Sequence, residues 1–448
     1  MNKYPKYKSS GVEWIGGIPE HWSFGKMKYV LSNNDGGVWG DDVLDEDEGT
    51  LVIRSTEITI DGNWNLSDVL RRKLTEDEKL KCRLYQGDIV ITKSSGSPSH
   101  IGKSVIVNNE IENLNCCYSN FVQRIRFKEF NPNLYHYILN SDVVRSQFKY
   151  LTTTTTGLGN LNGTTLGEIL LPFIPLSEQL QIVQFLDEKT ELIDKLISTK
   201  ERKIELLKQQ RTSLINEVIT KGLNPKVKMK DSGVEWIGEI PEHWEVSKLG
   251  FYTTKIGSGS TPRGGSEIYE DSGIPFIRSQ NVHFDGLRLD NVSFINNETH
   301  ISMNGSRVIK NDVLLNITGG SIGRCCIVED EKEMNVNQHV SIVRTTNRLL
   351  NYYLNFLLCS DIGQSQVSFN LTGGNREGLT IDGIRNFRIT IPPIKEQQQI
   401  VEYLDIRTKD IDDLVSMEQN KIDLLKEYRQ SLISEVITGK IDVRTNPN

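Results

Sequence analysis

No apolar run in the 448 residues approaches the roughly 20 that a membrane-spanning helix needs. The opening residues, MNKYPKYKSS, lack the apolar core of a secretory signal, so a cytoplasmic protein is expected. The six cysteines (Cys82, Cys116, Cys117, Cys325, Cys326 and Cys359) form no C-x-x-C pair. They are expected to be reduced thiols rather than metal ligands. An excess of positive charge is missing too. Lys and Arg number 52 against 59 Asp and Glu, a net charge of −7, which argues against a general nucleic-acid coat protein but not against local basic patches. Catalytic signatures are absent: no G-x-G-x-x-G, H-E-x-x-H or G-x-S-x-G occurs, nor the Asn/Asp-Pro-Pro-aromatic stretch of an amino-methyltransferase. The nearest approach to a phosphate loop is Gly96–Ser104, GSPSHIGKS. Its glycines stand one residue too far apart, position 97 is Ser, and the residues after it read as a strand where a phosphate loop opens a helix. No catalytic, cofactor-binding or metal-binding residue is expected.

What is present is written twice. Ser10–Trp22 (SGVEWIGGIPEHW) returns as Ser232–Trp244 (SGVEWIGEIPEHW), with twelve of thirteen positions identical. Lys203–Thr220 (KIELLKQQRTSLINEVIT) returns as Lys421–Thr438 (KIDLLKEYRQSLISEVIT). Offsets of 222 and 218 residues are far longer than a solenoid repeat, so the chain is two copies of one large module. The box at 10–22 sets Trp14, Ile15, Ile18, Pro19 and Trp22 among Gly and Pro, which reads as an irregular clasp. Packing is the expected role of its Trp residues, ahead of ligand stacking, and His21 and His243 are expected to be hydrogen-bonded structural groups.

Between box and rod each copy reads as strands, turns and a few helices. Thr50–Ile60 is strand-like and matches Pro275–His283. Gly87–Thr92 matches Asn311–Ile317, and each runs into a Gly/Ser loop, Lys93–Gly102 and Thr318–Gly323. Leu134–Leu151 has helical periodicity. The acidic run Asp41–Glu48 reads as a solvated loop.

Pro172 and Pro175 stop the first module, and no proline follows until Pro225. Across this interval Val183, Leu186, Ile193, Ile197, Ile204, Leu207, Leu214 and Val218 keep a heptad phase. The second copy repeats the seam with Val401, Leu404, Ile411, Val415, Ile422, Leu425, Leu432 and Val436. About 44 helical residues make a rod of ~65 Å, ended by Gly222 and Pro225. Each rod needs a partner for its stripe, and the other rod is the nearest. Lys200 and Glu418 lie level near the rod centres in either direction of pairing. The seam therefore leaves parallel and antiparallel arrangements open, though an antiparallel pair relates the halves by a pseudo-two-fold axis. The expected fold is α+β, with duplicated mixed modules and two long helices. The expected boundaries are module 1 at 1–175, helix 1 at 176–222, module 2 at 223–392, helix 2 at 393–440 and a tail at 441–448.

Polar loop residues recur in both modules. The first has Arg54, Ser55, Thr56, Lys93, Ser94, Ser95, Ser97, Thr154 and Asn160. The second has Arg263, Arg278, Gln280, Asn281, Asn316, Ser321, Asn375 and Arg376. Backbone N–H groups and hydroxyls of such loops suit phosphate, Arg pairs bidentately with guanine, and Asn or Gln with adenine.

The repeated I-P-E-H-W box, the P-x-x-E-Q stretches (Pro175–Gln179, Pro393–Gln397) leading to I-V-x-[FY]-L-D, and the L-I-x-E-V-I-T endings resemble specificity subunits of type I restriction-modification enzymes. The resemblance covers nearly the whole chain. It implies two target-recognition domains, each reading one half of a split, asymmetric site in double-stranded DNA. It also implies two helices packed antiparallel as spacer and docking surface. Two modification subunits, which bind S-adenosylmethionine and methylate adenine, and restriction subunits that use ATP are the implied partners. This chain would then be non-catalytic and hold no cofactor. A competing reading is a coiled-coil scaffold whose modules bind protein or sugar; salt-dependent, sequence-specific retention of duplex DNA separates the two.

Overall fold

A computed structural model describes residues 2–12, 15–43, 49–95, 97, 100–128, 130–153, 161–262, 264, 268–371 and 378–444. Two compact units result: residues 1–200 with 420–448, and residues 201–419. Each unit therefore holds one module, half of the first long helix and half of the second.

In unit 1 the module's main sheet has four antiparallel strands. In chain order these are β1 (Leu31–Gly36), β4 (Ile89–Thr92), β5 (Ser104–Ile106) and β7 (Val122–Phe127), and in space they run β1-β7-β4-β5. A second sheet places β2 (Thr50–Ile53) between β3 (Leu70–Arg72) and β6 (Cys117–Tyr118), with β2 and β6 parallel. Helical periodicity over 134–151 resolves into α1 (Pro132–Asn140) and α2 (Asp142–Thr153), broken at Ser141, whose hydroxyl bonds back to the Ile138 carbonyl. The first long helix, α3, runs Leu176–Lys221 without interruption.

Unit 2 repeats this order. Strands β8 (Thr253–Ser258), β12 (Val313–Asn316), β13 (Cys325–Ile327) and β15 (Val340–Thr345) form the sheet β8-β15-β12-β13. Strands β9 (Ile274–Ile277), β10 (Ser293–Ile295), β11 (Arg307–Val308) and β14 (Met334–Val336) form the other, again with one parallel pair, β9 and β14. Helices α4 (Asn351–Cys359), α5 (Asp361–Phe369) and the second long helix α6 (Ile394–Ile437) follow.

The strands at Thr50 and Ile274 are shorter than their β-branched sequences predict. Each ends where a side chain three residues on captures a backbone N–H: Glu57 takes that of Arg54, and Asn281 takes that of Arg278 at 3.0 Å. The chain then folds into the 3-10 turns Ser55–Glu57 and Ser279–Asn281.

Within unit 2 the rod halves run antiparallel: Lys203 pairs with Glu418 at 3.0 Å, and Arg211, further along α3, pairs with Asp412, further back along α6. In unit 1 the N-terminal half of α3 carries Asp194, which meets Arg429 from the C-terminal half of α6 at 3.0 Å. Arg211 and Arg429 are repeat-equivalent, as are Asp194 and Asp412, so one ion pair is made twice. Of the seam residues, Leu186, Ile193, Leu404, Ile411, Glu418 and Leu432 are buried, while Lys200, Leu207, Leu214 and Leu425 are half-buried. The unit 2 core joins Ile215, Val218, Ile219, Ile400 and Leu404 of the rods to Trp244 and the module's own Leu357 and Phe387.

Trp22 and Trp244 are fully buried, which is the packing role. His21 and the Trp22 indole both reach Glu178 at the head of α3, and His243 reaches Glu396 at the head of α6, at 2.8 Å. Residues 441–444 are not a loose tail. The Asp442 N–H donates to the Asn2 carbonyl at 2.9 Å, and the Arg444 guanidinium lies 4.7 Å from the centre of the Tyr4 ring. Of the acidic run, 44–48 lies outside the described residues, and Asp42 pairs with Arg72.

Candidate nucleic-acid interface

In each module the loop-bearing hairpin stands against the 3-10 turn. In unit 1 the hairpin is β4–β5 with the loop Lys93–Lys103. Its backbone is anchored at both ends: Lys93 N–H donates to Phe121 O at 3.0 Å, and Thr92 N–H to Lys103 O at 2.8 Å. In unit 2 the hairpin is β12–β13. Ile317 N–H donates to His339 O at 2.9 Å, and Asn316 N–H to Arg324 O at 2.8 Å. The segment after the first strand of the main sheet crosses close to this region in both modules. A Cβ on Gly37 would sit 2.1 Å from the Tyr118 carbonyl oxygen, and one on Gly259 would sit 2.0 Å from that of Val336. No side chain fits there, so these two glycines are required by approach rather than by turn geometry.

The sequence-selected residues fall into three groups. Thr56 and Gln280 are exposed, and Ser55, Lys93, Ser94, Ser95, Ser97, Arg278 and Ser321 are half-exposed; these line the turns and hairpin loops. Thr154, Asn160, Arg263, Asn375 and Arg376 lie outside the described residues. Three others are placed differently from the expectation of base contact. Arg54 gives its guanidinium to Glu57 at 2.7 Å and to Asp68, leaving its side chain 20 % exposed. Asn281 is 3 % exposed: its Oδ1 caps Arg278 and its Nδ2 donates to the Arg288 carbonyl at 2.9 Å. Asn316 is fully buried and donates to Ser279 O at 2.8 Å and Ser321 Oγ at 3.1 Å. These three brace the surface from beneath. Backbone groups freed at a strand end must be satisfied locally: Asn281 accepts the Arg278 N–H, Asn316 donates to the Ser279 carbonyl and Arg54 to that of Asp68.

Arg278 differs from Arg54 in one respect. Position 281 is Asn where position 57 is Glu, so among the described residues Arg278 has no carboxylate partner; its guanidinium lies 5.9 Å from the Tyr269 ring centre. Two residues that motif reading passed over also stand here. Phe121, whose carbonyl anchors the Lys93 and Ser94 N–H groups, is an exposed aromatic, and Trp39 meets it edge-on at 6.5 Å. The equivalent His339 bonds Thr318 and Gln338. Spacing relative to the hairpins could have found both.

The Lys103 of the false phosphate loop points inward: its ammonium donates to the Ser55 carbonyl at 2.9 Å and to that of Ile58. Burial pushes its pKa down, with Arg145 adding to the effect. Gly102 adopts φ +78° and the strand Ser104–Ile106 follows, where a phosphate loop would open a helix. Among the described residues no group of three His, Cys, Asp or Glu could hold a metal ion, and no helix is long and apolar enough to cross a membrane. Burial raises the pKa of four of the five buried thiols, and for Cys325 the hydrogen bond with Cys359 comes first and burial second. Cys116 is pushed up to about 11, Cys117 and Cys326 to about 12, and Cys82 and Cys325 are also raised.

A duplicated module with polar loops on one hairpin and a continuous helical rod after each copy defines a specificity subunit. The chain belongs to the type I restriction modification DNA specificity domain family, whose model matches residues 41–207 and again 241–426. It is 25 % identical over 439 residues to a putative type I restriction enzyme MjaX specificity subunit of Methanocaldococcus jannaschii, covering 96 % of each chain. Similarity to the MjaVIII specificity subunit of the same organism is also 25 %, covering 98 % of this chain and 97 % of that one. Among solved structures, a chain from work on complex assembly and conformational transition of the type I R-M system superposes with a TM-score of 0.71 at 16 % identity. That match covers 95 % of this chain and 99 % of the other.

Proposed function

We propose that each module reads one half of a bipartite, asymmetric sequence in double-stranded DNA, that the two long helices set the gap between the half-sites, and that the chain itself is non-catalytic. The observation that carries this reading is the duplicated turn-and-hairpin surface, made of the same elements but displaying different side chains: Ser55 and Thr56 with Lys93–Ser95 in one module, Arg278 and Gln280 with Ser321 in the other. Equivalent scaffolds with different polar tips suit two different half-sites. Modification subunits supply S-adenosylmethionine chemistry and restriction subunits supply cleavage; two modification subunits match two copies of the module. The recognition domains are taken as 1–175 and 223–392, joined by the long helices α3 (Leu176–Lys221) and α6 (Ile394–Ile437).

Exchange of residues 245–391 for the same region of a relative tests the reading. Co-expressed with the modification subunit, the chimera is expected to shift adenine methylation in one half-site only. A change in both half-sites would show that the modules are not independent readers, and methyl transfer by the pure chain would contradict the non-catalytic role.

A further inference from the structure

Two buried polar groups in the modules satisfy backbone carbonyls of the turns at a cost that a simpler arrangement would avoid. Lys103 is 4 % exposed, and among the described residues no carboxylate lies within ion-pair distance of it. The buried Glu57, already paired with Arg54, acts on Lys103 only from beyond ion-pair distance, so the cost of burying this ammonium is only partly offset. Asn316 is fully buried and its Oδ1 accepts no hydrogen bond among the described residues. An unsatisfied buried acceptor is a cost as well.

Both side chains reach the same place. Lys103 donates to the carbonyl of Ser55 at 2.9 Å, and Asn316 donates to the carbonyl of Ser279 at 2.8 Å. Ser55 and Ser279 are equivalent, each following the Arg that ends a strand and opening a 3-10 turn. The donors are not equivalent. Lys103 sits on the β5 side of its hairpin, opposite Thr92, whereas Asn316 sits on the β12 side of its own, opposite Arg324. One rung of the hairpin thus supplies the donor from its second strand in one module and from its first strand in the other. A local rule breached at the same point in both copies, by different residues with the same result, marks a functional rather than a packing requirement.

We propose that Lys103 and Asn316 are positioning residues for sequence readout, each locking the reading turn of its module to the loop-bearing hairpin through the carbonyl of Ser55 or Ser279. The proposal rests on the reading that the turns and hairpin loops face DNA. Lys103 also donates to the Ile58 carbonyl, so the first turn is held from beneath at both ends while Thr56 stays outside. Asn316 in addition holds Ser321 of the hairpin loop at 3.1 Å, so turn and loop move as one piece. Placement within about half an ångström is what separates a base-specific contact from a loose one.

The test uses the full chain co-expressed with its modification subunit and maps adenine methylation at cognate sites and at sites with one mismatch. Lys103→Met is expected to lower discrimination in the first half-site tenfold or more and leave the second half-site unchanged, with a fall in melting temperature of only a few degrees from the two carbonyls left without a donor. Asn316→Leu is expected to do the same to the second half-site alone. Hydrogen exchange at the amides of residues 55–58 and 279–282 should quicken in the matching variant. A role confined to stability would lower methylation at cognate and mismatched sites alike, in step with a large fall in melting temperature, and leave discrimination unchanged. Should the methionine chain not fold, Lys103→Gln, which still reaches one carbonyl, is expected to give a smaller loss confined to the first half-site. Thr56→Ala and Gln280→Ala separate the two layers of the argument. If these leave both half-sites intact, the turns do not read DNA and the interface falls with the clamp. If they relax their half-sites while K103M and N316L do not, the clamp alone is overturned.

Discussion

Position 57 is Glu and its equivalent, position 281, is Asn, and this one difference decides what the neighbouring arginine can do. Glu57 is buried and holds Arg54 in a charge-assisted pair, so Arg54 is part of the scaffold. Asn281 caps the backbone equally well without a charge, which leaves the Arg278 guanidinium for an outside acceptor. Arg278→Ala is therefore expected to relax the second half-site by about 1–3 kcal/mol of discrimination, read from methylation at mismatched sites, with little change in melting temperature. Arg54→Ala is expected to act on the fold instead. It strands a buried carboxylate and should cost about 3–5 kcal/mol in denaturant unfolding. The thiols follow the same logic of environment. Five are buried with raised pKa, and Cys359, lying 3.4 Å from Cys325, is the one partly exposed. Alkylation of the folded chain near pH 8 should modify Cys359 first, with the other five reacting only on unfolding. Equal labelling of all six in the native protein would contradict the burial described.

At the scale of elements, the long helices are amphipathic in a way that can be tested residue by residue. Leu404 is fully buried where α6 meets the unit 2 core, whereas Leu424 on the same helix is 63 % exposed. Leu404→Ala is expected to cost about 2–5 kcal/mol through lost transfer energy and the cavity left behind. Leu424→Ala should fall within about 0.5 kcal/mol of the parent. Urea melts of the two variants give the comparison, and equal effects would mean that the seam is misassigned. The ion pairs Asp194–Arg429 and Arg211–Asp412 contribute little by themselves, since one partner in each is half exposed. Their value is in register: each repeats the other at the equivalent rung of the seam.

For the molecule as a whole, the proposed spacer role of the helices carries a geometric consequence. Inserting one heptad into each rod, after Ile197 and after Val415, keeps the apolar seam in phase. Seven residues lengthen a helix by about 10 Å, the rise of about three base pairs, over which the groove turns by about 100°. The expected outcome is a gap widened by about three pairs with weaker binding, or loss of specific binding, and in either case the same bases within each half-site. Methylome sequencing reads the gap directly. An unchanged gap at full affinity would remove the helices from any role in spacing.

The duplication, the two rods and the division into modules could be read from the sequence alone. A 3.5-residue apolar period and a repeated box are local patterns, and local patterns survive without coordinates. The direction of the rods could not. Lys200 and Glu418 are level in both arrangements, and only the order of Lys203–Glu418 and Arg211–Asp412 along the two helices shows that they run antiparallel. The polar surface was legible as a region but not as a set of contacts. Arg54, Asn281 and Asn316 have the residue types that read bases, yet all three are turned inward, the first two by near neighbours in sequence (Glu57, Arg288) and only Asn316 by a distant one, Ser279. Lys103 is the reverse case, discarded with a failed phosphate-loop motif and then found holding a turn some 45 residues away in sequence. Whether a polar side chain faces water or a backbone carbonyl depends on which segment lies opposite, and that is settled only when distant parts of the chain are packed together.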